Sequence, residues 1–300
     1  MSDNYTLSDK AVFAPDRPAA PLRESISQRA RRMALGTAFT LMPARIGELP
    51  YLLGAMAKDA ISQRTGELPD ASRAEDRAQG YCGFCGHLSV DKLMEGYRRG
   101  LFPFAHVGPF KWWSTPQRPV LQFSEFRIEK KIRKLIRRGE FHYTFDQAFE
   151  DVITACAGLR EGKTPLTWLR PEMVALYIEA HKAGHCHSVE VWDDKGALVG
   201  GAYGTAVGGL FVAESQFYRT PNASKCGYVV LNRHLAAWGF SLVDAKRGSP
   251  FMYQQGYADI PRAEYLARVT EITGDQCGPP VWSVDSDLDV AGWKPGQAGG

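Results

Sequence analysis

The chain has 300 residues, 44% hydrophobic and 23% charged, which is enough to bury a core in one or two domains and excludes a fibre or wholesale disorder. Its formal net charge is only +3, so any attraction for nucleic acid has to come from a local patch rather than from the chain as a whole. The start, MSDNYTLSDKA, carries Asp3 and Asp9 where a signal peptide needs basic and then apolar residues.

Residues 1–20 read as a polar, disordered lead-in. Residues 21–64 read as helical, with Arg23, Arg29, Arg31 and Arg32 ahead of apolar clusters. Between residues 33 and 56 the apolar run is interrupted by Pro43, Arg45, Glu48 and Pro50, so no ordinary membrane span is expected. Two readings stand for this segment: a basic amphipathic helix that touches membrane or RNA, or an arm packed on the body. Residues 65–80, rich in Asp, Glu, Arg and Gly, read as a linker, which makes 1–80 an extension.

Residues 81–116 read as a small N-terminal module. Ser89 is a natural N-cap for a helix over 90–99 that Gly100 closes, and aromatic residues gather in Leu101-Phe102-Pro103-Phe104 and Trp112-Trp113. The segment FRIEKKIRKLIRRG (126–139) is amphipathic: Ile128, Ile132, Leu135 and Ile136 make a buried stripe. Arg127, Lys130, Lys131, Arg133, Lys134, Arg137 and Arg138 cover the rest. Such a run is either a solvated face or a local field strong enough to hold RNA phosphates, and the second reading is preferred here. A further helix is expected from Asp146, as cap, to Ala157, and another from Pro171 to about Gly184.

The stretch 187–225 is the organising centre of the larger domain. His187, Val189 and Val191 alternate with Ser188, Glu190 and Trp192, the period of a half-buried strand. Asp193-Asp194-Lys195-Gly196 supplies a turn, residues 197–206 the returning strand, and Gly208-Gly209 a second reversal into Leu210-Phe211-Val212 and Glu214. Gly200, Gly201 and Gly204 inside the second strand require a bulge or a close approach to the backbone. Asn222 then caps a helix with Val230, Leu231, His234, Leu235 and Trp238 on one face, SLVDA (241–245) is a short strand, and Pro261 begins a last helix. After about residue 273 comes a tail rich in Gly, Pro and Asp.

Six cysteines without a secretory signal point to reduced thiols and the cytoplasm. Cys82 and Cys85 form C-x-x-C near His87, and His185-Cys186-His187 could add ligands. A zinc site needs a second spaced pair, so no metal is expected.

HSVEVW, LVGGAYG, LFVAESQF and NASK, together with GYRRGLFPF, WWSTPQRPVL, TWLRPEMVALYIEAHKAGH and IPRAEYL, resemble the signature of leucyl/phenylalanyl-tRNA–protein transferases over roughly residues 80–270. The resemblance implies an α/β (α+β) chain in which residues 117–272 form an acetyltransferase-like (GNAT) domain with an antiparallel-rich mixed sheet, followed by the tail 273–300. It also implies transfer of Leu or Phe from aminoacyl-tRNA to a protein N-terminus bearing Arg or Lys. The aminoacyl ester is already activated, so no cofactor is expected beyond the tRNA co-substrate, and a monomer is expected. The enzyme has to hold ester and amine together, accept a proton and stabilise an oxyanion.

By the same resemblance the chemistry sits at Asp244 and Glu214, and substrate contacts fall on Phe104, Trp113, Trp168, Ala202, Phe211, Ser215, Gln216, Leu231 and Leu235. From the charge of 126–139, and not from the resemblance, RNA contacts are expected at Arg127, Lys130, Lys131, Lys134, Arg137 and Arg138.

Several positions depart from the family pattern. Phe104 stands where the family has Trp, Ala202 and Gln216 where it has Met, Leu231 and Leu235 where it has Phe, and Ser249 and Phe251 where it has Asn and His. Its Asp-x-Gln is here Asp244-Ala245-Lys246. Residues i and i+2 of a strand share a face, so Lys246 is expected beside Asp244, where its charge would oppose a cationic acceptor by roughly 4 kcal/mol at about 4 Å. Gln216, if buried, is expected to meet a polar group. Two other readings remain: an RNA-binding or regulatory relative without catalysis, and an acyl-CoA acetyltransferase. The latter's Q/R-x-x-G-x-G/A turn has no match, QQGYAD coming nearest with Tyr253 in the place of the Gln or Arg.

Overall fold

The computed structural model describes residues 24–62, 67–158, 166–274 and 277–296; the expected lead-in over 1–20, with Arg23, lies outside them. A capping box opens α1 (Ile26–Thr40): Ser25 Oγ accepts from the Gln28 N–H, and Gln28 Oε1 from the Ser25 N–H. Pro43 and Pro50 each fall in the first turn of a new helix, α2 (Pro43–Ile46) and α3 (Leu49–Ser62), where a missing N–H costs nothing. This arm is packed on the body by polar groups. Arg32 pairs with Glu24 and donates to the His106 carbonyl at 2.8 Å, while Asp59 accepts from Tyr81 Oη at 3.2 Å and from the Phe84 N–H at 2.9 Å. The described part of the expected linker, 67–80, folds into two short 3-10 turns, and Asp76 in the second is paired with Arg262.

The small module begins with β1 (Tyr81–Phe84) and α4 (Val90–Arg98), which Ser89 caps by accepting from the Lys92 N–H. It ends with β2 (Phe102–Phe104) and β3 (Lys111–Trp113), the three strands forming an antiparallel sheet in the order β1-β3-β2. From there the chain runs through β4 (Gln117–Leu121), α5 (Lys130–Arg137), β5 (His142–Phe145), α6 (Phe149–Ala157), α7 (Pro171–Lys182) and the meander β6 (Cys186–Trp192), β7 (Leu198–Val207), β8 (Leu210–Tyr218). It finishes with α8 (Ala223–Ala237), β9 (Leu242–Asp244), α9 (Pro250–Gln254), β10 (Ala258–Pro261) and α10 (Arg262–Ile272). The large sheet has the order β10-β4-β9-β8-β7-β6-β5, antiparallel except for the parallel pair β8–β9. This is the mixed α/β architecture with an antiparallel-rich sheet that was expected.

The meander and its turns lie where the sequence places them, but β6 is not half-buried. All seven of its residues are buried, because α6 and α7 cover one face of the sheet and α8 the other. Close packing explains the glycines of β7. A Cβ on Gly200 would stand 2.8 Å from Ala223 Cβ at the start of α8, and one on Gly204 would lie 2.3 Å from the Phe211 ring.

Asp146 is not a helix cap. It takes a left-handed φ of +59°, and its carboxylate instead accepts from the Ser188 N–H at 2.8 Å and meets His187 Nδ1 at 2.7 Å. Asn222 precedes α8 but its side chain makes no capping bond. Residues 277–296 are a packed strap: Trp282 stacks on His187 with centroids 3.9 Å apart, and Arg133 donates to the carbonyls of Ala291 and Trp293.

Candidate active site

The site starts from an irregularity in strand pairing. Tyr203 faces Ser215 and Gly204 faces Ala213, so Glu214 is the extra residue of a β-bulge in β8. Bulges re-aim a side chain. Here the Glu214 carboxylate is turned to the face covered by α4 and α7, where Oε1 accepts from Tyr97 Oη and, at 3.3 Å, from Thr205 Oγ1. The Tyr97 and Tyr177 hydroxyls lie 2.8 Å apart. Burial, and then the Glu214 charge, push both phenols well above the ordinary tyrosine range, so they stay protonated as donors.

Strand β9 brings the second acid alongside. Asp244 is in register with Val212 of β8 and is fully buried. Its two oxygens accept from Arg118 Nε at 2.8 Å and Nη2 at 2.6 Å, from Tyr265 Oη at 2.8 Å and from the Lys246 N–H at 2.7 Å. A carboxylate with this many donors is an anchor for the surrounding chain.

Lys246 does not project beside Asp244 as expected. The strand ends at Asp244, Lys246 has a left-handed φ of +62°, and the alternation of a strand no longer applies. Arg118 already neutralises Asp244, and the Lys246 ammonium pairs instead with Glu214 Oε2. Lys246 thus ties the two acids together, its backbone on one and its side chain on the other.

An aromatic wall continues from this pair. The Lys246 ammonium lies 4.7 Å from the centre of the Trp168 ring, Trp168 lies 6.0 Å from Phe104, and the Arg247 guanidinium sits over both Phe104 at 5.1 Å and Trp113 at 5.3 Å. Burial and the nearby Arg45 lower Arg247 to about 10. His106, pushed down to about 4 by burial, stands between Phe104 and Phe39 of the arm. A cavity of about 120 Å³ opens here, walled by Phe104, Trp113 and Arg247 on one side and by Phe39, Arg45 and Leu52 of the arm on the other.

The residues singled out from sequence are therefore divided. Glu214, Lys246, Asp244, Phe104, Trp113 and Trp168 come together, and Ser215 is paired with Tyr203 on the same face. Ala202, Phe211, Leu231 and Leu235 belong to the hydrophobic cluster on the α8 face, where Gln216 pairs with Ala202. The expected polar partner of Gln216 is not found: its Oε1 is buried without a hydrogen bond among the described residues. Ser249 caps α9 through the Met252 N–H, and Phe251 receives Lys225 over its ring. His187, one of the weighed zinc ligands, is committed to Asp146 and Trp282.

On α5, Ile132 and Ile136 are buried while Lys130, Lys131, Lys134 and Arg137 are exposed, as are Arg127 before the helix and Arg138 at its end. The helix packs on α8.

Sequence reasoning missed Tyr97, Arg118, Tyr177, Thr205 and Tyr265. Four of these lie within the quoted runs GYRRGLFPF, WWSTPQRPVL, TWLRPEMVALYIEAHKAGH and IPRAEYL: Tyr97, Arg118 and Tyr265 bond the acids directly, and Tyr177 meets Tyr97.

The family profile described as leucyl/phenylalanyl-tRNA protein transferase matches residues 120–270, and that of the family's N-terminal domain matches residues 86–116. A leucyl/phenylalanyl-tRNA–protein transferase of Pseudomonas syringae pv. syringae (strain B728a) is 42% identical over 212 residues, covering 69% of this chain and 92% of that one. One from Methylococcus capsulatus (strain ATCC 33009 / NCIMB 11132 / Bath) is 42% identical over 215 residues, 71% of this chain and 90% of that one. One from Thiobacillus denitrificans (strain ATCC 25259 / T1) is 41% identical over 202 residues, 67% and 88% respectively. Most of the small module, from α4 to β3, and all of the bulged meander and the two linked acids fall inside the matched spans, and the chain belongs to the leucyl/phenylalanyl-tRNA protein transferase family.

Proposed function

We propose that this protein is an aminoacyl-tRNA-dependent aminoacyltransferase whose acceptor is an amine, such as a protein N-terminus, with no second cation beside the reacting nitrogen. The observation that carries the acceptor choice is the Glu214–Lys246 pair. A family acceptor brings a cationic Arg or Lys side chain, and here the carboxylate that could face it is neutralised by the chain's own ammonium. The Trp168–Phe104 wall next to the pair offers stacking surface to the terminal base of the tRNA. The exposed cations of α5 would hold RNA phosphates. The ester needs no further activation, so aminoacyl-tRNA is the co-substrate, and the protein acts as a monomer in the cytoplasm.

In this scheme the α-amine, with an ordinary pKa of about 8, loses its proton to a positioned base. Glu214 fills that role once Lys246 swings away, with Tyr97 and Thr205 holding the carboxylate. Asp244 positions Lys246 and Arg118 and touches no substrate.

The test supplies Leu-tRNA and Phe-tRNA with two peptides, one beginning with Arg and one with a neutral residue. Transfer to the neutral peptide exceeding transfer to the Arg peptide is expected. Transfer to the Arg peptide at the rate of a relative with Asp-x-Gln refutes the acceptor assignment.

A second reading, a tRNA-binding protein without turnover, is favoured by the same pair and by the saturation of Asp244. Tight binding of charged tRNA with no loss of its ester to any amine would select it.

A further inference from the structure

The arm, α1 to α3, lies outside the family match and carries apolar side chains on its outer face as well as on the face packed against the body. Its charged groups Arg32 and Asp59 point inward to the His106 carbonyl and to Tyr81, and its apolar stripes point outward. On α1 the outward stripe is Ile26, Ala30, Met33, Thr37 and Leu41, all exposed and spaced at four, seven, eleven and fifteen residues from the first. At ~100° per residue these share one face, and the exposed Arg29 and Arg31 fall on its two margins. On α3 the stripe is Leu53, Gly54, Ala57 and Ile61, also exposed, with Lys58 beside it, while Leu52, Ala55 and Met56 pack on the core. Ile26 is 91%, Leu53 54% and Ile61 82% exposed, and Met42 and Ile46 stand exposed between the two helices. Most large apolar side chains exposed among the described residues lie on this arm.

Scattered exposed apolar residues need no partner, but two similarly built stripes on neighbouring helices do. We propose that the outward face of the arm docks the protein onto an anionic phospholipid surface, α1 and α3 lying in the headgroup layer without crossing it. No described helix is long and apolar enough to span a membrane, which fits a peripheral mode. The occupant is chosen by charge: the stripes are free of acidic residues, and cationic Arg29, Arg31 and Lys58 edge them at the position where lipid phosphates would lie. Residues 1–23, with Tyr5, Leu7, Val12, Phe13 and Leu22 among few large apolar side chains, offer a thinner cover than the stripes need. This docking does not depend on which acceptor the transferase site uses.

The experiment sediments the full chain with vesicles of phosphatidylglycerol and phosphatidylcholine, and with phosphatidylcholine vesicles alone, at about 0.1 M salt. The expected result is binding to the anionic vesicles at least tenfold tighter than to the neutral ones. The triple variant Met33→Glu, Leu53→Glu, Ile61→Glu should lose at least tenfold of it with an unchanged far-UV circular dichroism spectrum. The pair Arg29→Ser, Arg31→Ser should reduce both the binding and its salt dependence. Absence of binding, or binding indifferent to lipid charge, overturns the proposal. So does a self-associated species in ultracentrifugation that the triple variant dissolves while vesicles go unbound, since the face would then meet a second copy. Binding that appears only after residues 1–22 are deleted also overturns it, because the chain's own start would be the cover.

Discussion

Lys246→Gln restores the family's Asp-x-Gln and tests the central contact directly. In the folded protein the Glu214 side chain is fully buried and that of Lys246 is 11% exposed, so the pair interacts with little solvent screening. Removing one member of a buried pair usually costs about 3–5 kcal/mol, because the other is left uncompensated. The Gln amide returns a hydrogen bond to a charged acceptor worth about 1.5–3 kcal/mol, so the net destabilisation should be about 1–3 kcal/mol. For catalysis the sign is opposite. A cationic acceptor side chain about 4 Å from the Lys246 nitrogen is opposed by up to roughly 4 kcal/mol at an effective dielectric of 20, a factor of about 10³ in kcat/KM. Glu214, already matched to Lys246, gives only part of that back, so a gain of about 10- to 100-fold for an Arg-initiated peptide is the expected range. The assay follows transfer from Leu-tRNA and Phe-tRNA to that peptide, after a denaturant melt has shown the variant to be folded. A folded Lys246→Gln protein with kcat/KM within threefold of the parent would show that the ammonium is no obstacle to a cationic acceptor.

Other consequences are as direct. Replacing Lys130, Lys131 and Lys134 by Ala should weaken tRNA binding and reduce the slope of log K against log salt by about 2–3, with little change at the reacting centre. Glu190 is buried and raised from 4.5 to about 8 by desolvation, so between those pH values the unfolded chain releases a proton that the folded chain keeps. Stability therefore falls as pH rises through that window, by up to roughly 4–5 kcal/mol from this group, and urea melts of Glu190→Gln should be nearly flat there by comparison. Trp282→Ala removes the ring stacked on His187 and should cost about 3–5 kcal/mol in the same melts. Asp244→Ala should cost about 3–5 kcal/mol by stranding the buried Arg118, and the double change Asp244→Leu, Arg118→Met should recover most of it.

The local parts of the fold were readable because local chemistry writes them. Asp193-Asp194-Lys195-Gly196 and Gly208-Gly209 fix two reversals, Ser89 caps α4 and Pro171 starts α7, each within a few residues of its effect. What was not readable depends on pairing between distant segments. The bulge at Glu214 exists only in the register of β8 against β7, and no run of residues in β8 announces it. Tyr97 reaches Glu214 across 117 positions of sequence, and Arg118 reaches Asp244 across 126. The burial of β6 on both faces was hidden because Ser188 and Glu190 look like solvent-facing positions. They are polar yet paired inside, Ser188 Oγ and Thr144 Oγ1 both donating to Glu190. The tail looked like loop by composition, and its two tryptophans were the signal that it packs.

The site shows why motif matching picked out Asp244, Glu214 and Lys246, which do lie together, and still mistook how they meet. A motif specifies residue types and order, and the Asp of the late strand and the Glu of the meander are indeed neighbours. It does not specify which partner each carboxylate takes. Arg118 comes from β4, the strand beside β9, and claims Asp244. Lys246 is thereby displaced to the one acid with an oxygen left, and the left-handed backbone at its own position allows the reach. Charge in such a site is distributed by elimination: the rigid guanidinium takes the acid of β9, and the flexible ammonium takes the acid at the bulge. A lysine at this point of the chain is therefore more than a lost glutamine. On the proposed acceptor assignment it stands where an acceptor's positive charge would sit, so a substrate would have to displace it or carry no such charge.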